Sequence, residues 1–187
     1  MTKKVLVPIA DGSEEIETCS IVNVLRRGGI DVTMSSVRSI LKVTGARDIQ
    51  IVADKLLSDC LDEVFDMIVL PGGMPGAEHL RDSDELTSML KRHVKEGRYY
   101  AAICASPAVV LAHHGLLAGK KATAYPGFQK DLPETSCADQ IVVIDGNCIT
   151  GQSPGTALEF SLQLLEILEG AEKAQQIRQE LVMLSEK

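Results

Sequence analysis

Tryptophan is absent and aromatic residues make up only 3% of the 187-residue chain. A surface that holds single-stranded nucleic acid by stacking bases on rings has little to build on here. Excess positive charge is missing too. A formal net charge of -7 argues against nucleic acid or an anionic membrane as the main partner, and no nucleic-acid-binding motif is present. No apolar run approaches the roughly 20 residues of a membrane-spanning helix. The five cysteines (Cys19, Cys60, Cys104, Cys137, Cys148) form an odd set with no C-x-x-C pair. That speaks against a disulfide framework or zinc ribbon and for a reducing compartment. The chain enters Val5-Leu6-Val7-Pro8-Ile9 too early for a secretory leader. The expectation is a cytoplasmic protein, although a trimmed organellar leader would leave no mark.

Further absences narrow the chemistry. Gly72-Gly73 is followed by no G-K-[ST] and belongs to no complete G-x-G-x-x-G, so a nucleotide cofactor is not expected. His113-His114 are adjacent on a helical run, where neighbours point apart, and no H-E-x-x-H accompanies them. We expect no metal, and read both as surface or helix-end residues. No histidine follows Cys104 directly and none lies beyond His114, which removes a Cys-His-Glu triad with a late histidine.

What the sequence does contain is an alternation of strand and helix patterns. Lys3–Ile9 reads as a buried strand, with Asp11-Gly12-Ser13 as turn and N-cap of a helix over Glu14–Arg27. Asp31–Val37 returns as a second, parallel strand. Lys42–Thr44 and Asp48–Val52 suit a short hairpin turned at Gly45. Val64–Leu70 is a third strand, and Asp82-x-x-Glu85 caps a helix reaching Glu96. Tyr99–Ile103, Lys121–Tyr125, and Ile141–Ile144 with Asn147–Thr150 around Asp145-Gly146 complete the strands. Helical spacing returns over Thr156–Glu169, and again for Ala174, Ile177, Leu181 and Leu184. The pattern predicts one domain over residues 1–187: a three-layer α/β sandwich around a mostly parallel sheet.

The sharpest local signal is Tyr99-Tyr-Ala-Ala-Ile-Cys-Ala-Ser-Pro107. A strand that ends in Cys104, two small residues, then a proline suited to a first helical turn, has the plan of a nucleophile elbow. A buried structural cysteine is the commoner fate of a free thiol. The turn favours the nucleophile, with a helix N-terminus to support a thiolate. Glu14 and Glu15 suit the positive end of the first helix, whereas Glu17, just past the first apolar anchor Ile16, can turn toward the sheet edge. Against Cys104 it should be protonated and donate to the thiolate, because two anions at close range repel. The Gly72-Gly73 turn, with the amide of Ala105, can supply backbone N–H groups to an oxyanion. Apolar residues also spread around the first helix (Ile21, Val22, Val24, Leu25), more than one buried face needs, which predicts that a second copy of the chain covers the excess.

Five stretches, in this order, resemble the ThiJ/PfpI superfamily and, within it, the branch of the Parkinson's-disease protein (DJ-one) and its bacterial and plant relatives. They are Gly12–Glu17, Leu25–Ile30, Val69–Gly73, Ala101–Ala105 and Pro154–Thr156, and the similarity spans essentially the whole chain. The resemblance implies a flavodoxin-like fold, a homodimer packed through the first helix, Cys104 as an oxidisable nucleophile and Glu17 as its protonated partner. It implies that Arg47 lies near the neighbouring subunit's site. It also implies cofactor-free activity on small 2-oxoaldehydes or on glycated protein and nucleotide groups, peroxide sensing through a cysteine sulfinate, and holdase chaperoning. This chain departs from the pattern in carrying Tyr125 before Pro126 where several members have histidine. A phenol near pH 10 is a poor base at neutral pH, which leaves the proton chemistry to Glu17, although Tyr125 could still donate a hydrogen bond. Gln152-Ser153 replaces the familiar Arg-Gly, weakening an anion pocket there. Two functions follow, an enzyme working through Cys104 and Glu17, and a redox sensor in which Cys104 oxidation is the signal.

Overall fold

Alternation along the first strand sets the architecture. Val5, Val7 and Ile9 join one apolar cluster and Leu6 and Ala10 join another, so both faces of β1 (Lys4–Ile9) are buried. The computed structural model describes residues 2–183. A seven-stranded sheet runs in the order β5-β2-β1-β6-β7-β9-β8, with β2 Asp31–Ser36, β5 Lys55–Leu56, β6 Met67–Leu70, β7 Tyr99–Ile103, β8 Val142–Asp145 and β9 Cys148–Gly151. Every neighbouring pair is parallel except the hairpin β8–β9. The hairpin β3 (Lys42–Thr44)–β4 (Gln50–Val52) stands apart as a two-stranded unit.

Helices cover both faces. α1 (Glu15–Arg27), α4 (Ala157–Glu169) and α5 (Ala171–Glu180) bury Ile21, Val24, Phe160, Leu164, Leu165 and Ile177 with the odd-numbered residues of β1. α2 (Gly76–Arg81), α3 (Asp84–Lys95) and a short helix over Pro107–Ala112 bury Leu80, Leu86, Met89 and Leu111 on the other face. The result is the three-layer, flavodoxin-like sandwich expected from the sequence. Because β1, β6 and β7 are parallel neighbours, their carboxyl ends bring the loops after Ile9, Leu70 and Ile103 to one sheet edge, where crevices of such folds lie.

Several local readings are corrected. Glu14, rather than Ser13, caps α1, its Oε2 accepting Glu17 N–H at 2.8 Å. Ser83, rather than Asp82, caps α3. The third strand starts at Met67, and β5 and α2 had no clear sequence signature. Lys121–Tyr125 is extended but outside the sheet, because its amides bond elsewhere. Lys121 N–H goes to Asp145 Oδ2 (2.9 Å), Thr123 N–H to Thr150 Oγ1 (2.9 Å), and Tyr125 N–H to the Cys104 carbonyl (2.8 Å). The apolar excess assigned to α1 is covered within the chain: Ile21, Val22, Val24 and Leu25 are all buried, because α1 packs on the sheet and against α4 beside it. Leu181 is half-buried behind α5, and Leu184 lies outside the described residues.

His93 generates a prediction. It is buried on α3, with no hydrogen-bonding partner for Nε2. Burial first, then the charge of Arg98, pushes its pKa from 6.5 to about 4, partly offset by the Asp66 carbonyl. A histidine held neutral when folded but free to protonate when unfolded leaves stability intact above pH 6.5 and erodes it as pH falls through 4. The slope is at most about 1.4 kcal/mol per pH unit. Urea denaturation of the wild type and His93→Gln should show a smaller loss between pH 7 and 5 in the variant. Equal losses would remove His93 as the source.

Candidate active site

Cys104 follows the last residue of β7 and adopts φ 64°, a left-handed backbone that a non-glycine residue holds only when its surroundings force it. Its N–H donates to the Gly151 carbonyl (3.0 Å) and its carbonyl accepts Tyr125 N–H (2.8 Å), so β9 and the 121–125 segment clamp the turn from both sides. Ser106 Oγ donates to the Pro71 carbonyl (2.6 Å), joining the elbow to the Gly72-Gly73 turn. A Cβ on Gly72 would lie 2.7 Å from Cys104 Cβ, so only glycine allows these two turns to approach this closely. Gly73 has φ 87° and packs against the Gly12 carbonyl. The amides of Gly73 and Ala105 both hydrogen-bond toward the Cys104 thiol.

Glu17 completes the cluster. The periodicity of α1 turns Glu17, Thr18 and Ile21 inward and leaves Ile16 57% exposed, so Ile16 is not the apolar anchor expected of it. The Glu17 carboxyl is fully buried and its Oε2 accepts Gly72 N–H at 2.7 Å, while Oε1 has no full hydrogen bond. Burial, opposed by the Gly72 and Cys104 hydrogen bonds, pushes Glu17 from 4.5 up to about 7. Burial, then the charge of Glu17 and its hydrogen bond, pushes Cys104 from 9.0 up to about 12, opposed by the Gly73 and Ala105 amides. An elbow position therefore does not acidify this thiol on its own, contrary to the sequence reading. Burial raises both groups, and each opposes ionisation of the other, so they compete for one proton. Two anions at this distance repel, so the pair favours a single negative charge. Two backbone donors face the sulfur and one faces the carboxylate, so the charge is better held on sulfur and the proton on Glu17 Oε1.

A match to the model of the DJ-1/PfpI family over residues 3–167 decides the kinship. The chain belongs to the DJ-1/PfpI family. It is 49% identical over 97% of its length to "Protein DJ-1 homolog A" of Arabidopsis thaliana, of which it spans about half (47%). It is 38% identical over 96% of its length, and 95% of the relative's, to "Glutathione-independent glyoxalase DJR-1.2" of Caenorhabditis elegans. The solved structure "Toxoplasma gondii DJ-1, oxidized" superposes with a TM-score of 0.96 at 46% identity, covering 98% of this chain and 100% of that one.

Of the residues singled out from the sequence, Cys104, Glu17, Gly72, Gly73 and Ala105 converge. Tyr125 does so through its backbone, its side chain being 44% exposed. Arg47 sits exposed on the β3–β4 turn, its Nη1 donating to the Ala46 carbonyl (3.0 Å). Of the family-pattern replacements, Gln152 donates to the Asp139 carbonyl at 3.4 Å and Ser153 starts a capping box with Thr156. His113 is exposed, and His114 Nε2 lies 2.9 Å from the Arg81 carbonyl. Ser106 carries no sequence signal beyond its small size, because its bond to the Pro71 carbonyl depends on two turns distant in the chain. Glu15 suits the helix dipole by its position, yet it is buried and hydrogen-bonded.

Cys19 is exposed and Cys104 only 8% exposed, and burial raises both thiols, but Cys104 has the Gly73 and Ala105 amides to hold a thiolate and its oxidised product. Low peroxide should therefore oxidise Cys104 first, stopping at sulfinate, and Gly72→Ala should erase that preference without unfolding the protein. Peptide mass mapping reads both; Cys19 reacting first in the wild type would contradict the assignment.

Proposed function

We propose that the protein is a cofactor-independent, glutathione-independent glyoxalase acting through Cys104 and Glu17. The observation that carries this reading is geometric: the fully buried Glu17 carboxyl, held by Gly72 N–H at 2.7 Å, lies against a strained elbow cysteine whose thiol the Gly73 and Ala105 amides face. Such a pair supplies a nucleophile and a proton shuttle at neutral pH without metal or organic cofactor. The glyoxalase name of the C. elegans relative, which matches nearly end to end, supports the same class.

In this mechanism the Cys104 thiolate adds to the aldehyde carbon of methylglyoxal. The C–S bond forms, the carbonyl pair moves onto oxygen, and Glu17 supplies the proton that makes a hemithioacetal. The Gly73 and Ala105 amides, released from sulfur as its charge is spent, receive the developing oxyanion. Glu17 carboxylate then removes the proton from that carbon to give an enediol. Reprotonation at the neighbouring carbon leaves a lactoyl thioester on Cys104, and water releases lactate and the free thiol. Redox state is conserved overall: one carbon is oxidised as its neighbour is reduced. Glycated protein or nucleotide groups reach the same hemithioacetal when the C–N bond of the aminocarbinol breaks and the amine leaves with a proton from Glu17, which makes deglycation a sibling activity. Tyr125 and Arg47 remain candidate substrate-pocket groups.

A second reading, redox sensing with a chaperone role, is favoured by one observation. A sulfinate on Cys104 would meet the same two amides and a carboxyl able to donate a proton to it. We further infer a single domain, a cytoplasmic location and a homodimer. A groove of about 500 Å³ between α1 and Ile51 of β4, with Ile16 and Val52 exposed on those two elements, is the apolar surface a second copy would cover.

Lactate formation from methylglyoxal without glutathione should be abolished in Cys104→Ser and reduced about 100-fold or more in Glu17→Leu, the usual scale for losing a general acid–base group. Wild-type protein that forms no lactate under these conditions would leave the sensor as the better reading.

A further inference from the structure

The loop after β1, residues 10–14, touches the Gly72-Gly73 turn on one side. Glu14 N–H donates to the Gly72 carbonyl (2.9 Å), and the Gly12 carbonyl lies against Gly73. On its other side lies the turn of the β3–β4 hairpin, residues 44–47. There Gly12 N–H donates to the Thr44 carbonyl (2.8 Å), Ala46 N–H to the Ser13 carbonyl (2.9 Å), and Thr44 N–H to Asp11 Oδ1 (2.9 Å). Asp11 is in turn ion-paired with Arg38, and its carbonyl lies 2.8 Å from His79 Nδ1. The last link is Glu15. Its carboxylate is 5% exposed and its Oε1 accepts Arg47 N–H at 2.6 Å. Gly45 lies so close that any Cβ there would collide with this same carboxylate. Gly45 is outside the left-handed backbone region, so its missing side chain serves the close approach and not the chain path.

A buried carboxylate is costly unless strongly bonded. An acid needed only to complement a helix dipole would sit in solvent. Glu15 instead holds the hairpin turn against a loop that braces Gly72 and Gly73, the residues whose amides face Glu17 and Cys104. We propose that Glu15 is a positioning residue for the Glu17–Cys104 pair: by fixing the turn Thr44–Arg47 on the loop Ala10–Glu14 it sets the placement of the Gly72 and Gly73 amides. The proposal deepens the glyoxalase reading, since it concerns the same pair. It also makes the hairpin, rather than the sheet alone, part of the site's scaffold.

The test compares Glu15→Ala, Glu15→Gln and Gly45→Ala. Glu15→Gln keeps an oxygen acceptor for Arg47 N–H, whereas Gly45→Ala displaces an intact Glu15 by steric conflict. The readouts are the pH midpoint for alkylation of Cys104 by iodoacetamide, followed by mass spectrometry, and kcat and KM with methylglyoxal. Glu15→Ala and Gly45→Ala should each raise the alkylation midpoint and lower kcat about tenfold or more with KM little changed, as expected when reacting groups are held out of place. Glu15→Gln should stay near wild type, and the Glu15→Ala/Gly45→Ala double variant should be no worse than either single one. The alkylation midpoint reads the positioning whether or not methylglyoxal is turned over, so the two proposals fail separately. Should Glu15→Ala not fold, Gly45→Ala carries the test. A wild-type midpoint in the folded variants, a Glu15→Gln as impaired as Glu15→Ala, or additive losses in the double variant would each overturn the proposal.

Discussion

A carboxyl group buried without a counter-charge must either be protonated or find a partner that shares its charge, and Glu17 does both. With no exposed surface and one backbone donor at 2.7 Å, it cannot hold a full negative charge at little cost. The Cys104 thiol beside it faces the same penalty. One proton and one charge between them lower the cost for both, provided amides reach the atom that carries the charge. The arrangement of the surrounding turns answers to that proviso. Gly72 and Gly73 present their N–H groups inward because they carry no side chains, and Ala105 does so because the elbow turns its amide back toward the sulfur.

The sheet supplies the rigidity this needs. Cys104 is held at φ 64° by hydrogen bonds to β9 and to the extended 121–125 segment, and Ser106 ties the turn to Pro71. A strained residue persists when its neighbours over-determine it. The elbow is bound on three sides by elements far apart in the sequence. Parallel pairing of β1, β6 and β7 is what brings the loops after all three strands to one edge. Function therefore rests on topology first and on loop chemistry second.

Much of this could be read from the residues alone. The alternation of apolar strands with capped helices located most elements, and the Ile-Cys-Ala-Ser-Pro run identified the elbow before any contact was known. Where reading failed, side chains took over tasks that patterns assign to the backbone. The 121–125 segment looks like a strand, but Thr150 Oγ1 and Asp145 Oδ2 take its amides. Glu14 caps α1 in place of Ser13, whose Oγ instead accepts Ala10 N–H at 3.0 Å inside the preceding turn. The spread of apolar residues around α1 suits an interface with a second copy, because a sequence does not show that α4 packs along its flank. Glu15 and Glu17, two positions apart on one helix, look alike in composition; their different burial partners come from the hairpin and from the Gly72 turn.

Two backbone donors at the sulfur place the pair's charge on Cys104 and its proton on Glu17. Thiolate absorbance, titrated in the wild type and in Glu17→Leu, separates this placement from its opposite. If Glu17 donates to the thiolate, its loss removes a donor while burial remains, and the thiolate should appear at higher pH in the variant. A shift of one unit corresponds to about 1.4 kcal/mol, a fitting size for a hydrogen bond to a charged group. If the charge resides on the carboxylate instead, removing it relieves repulsion, and a thiolate that appears at lower pH would contradict the account.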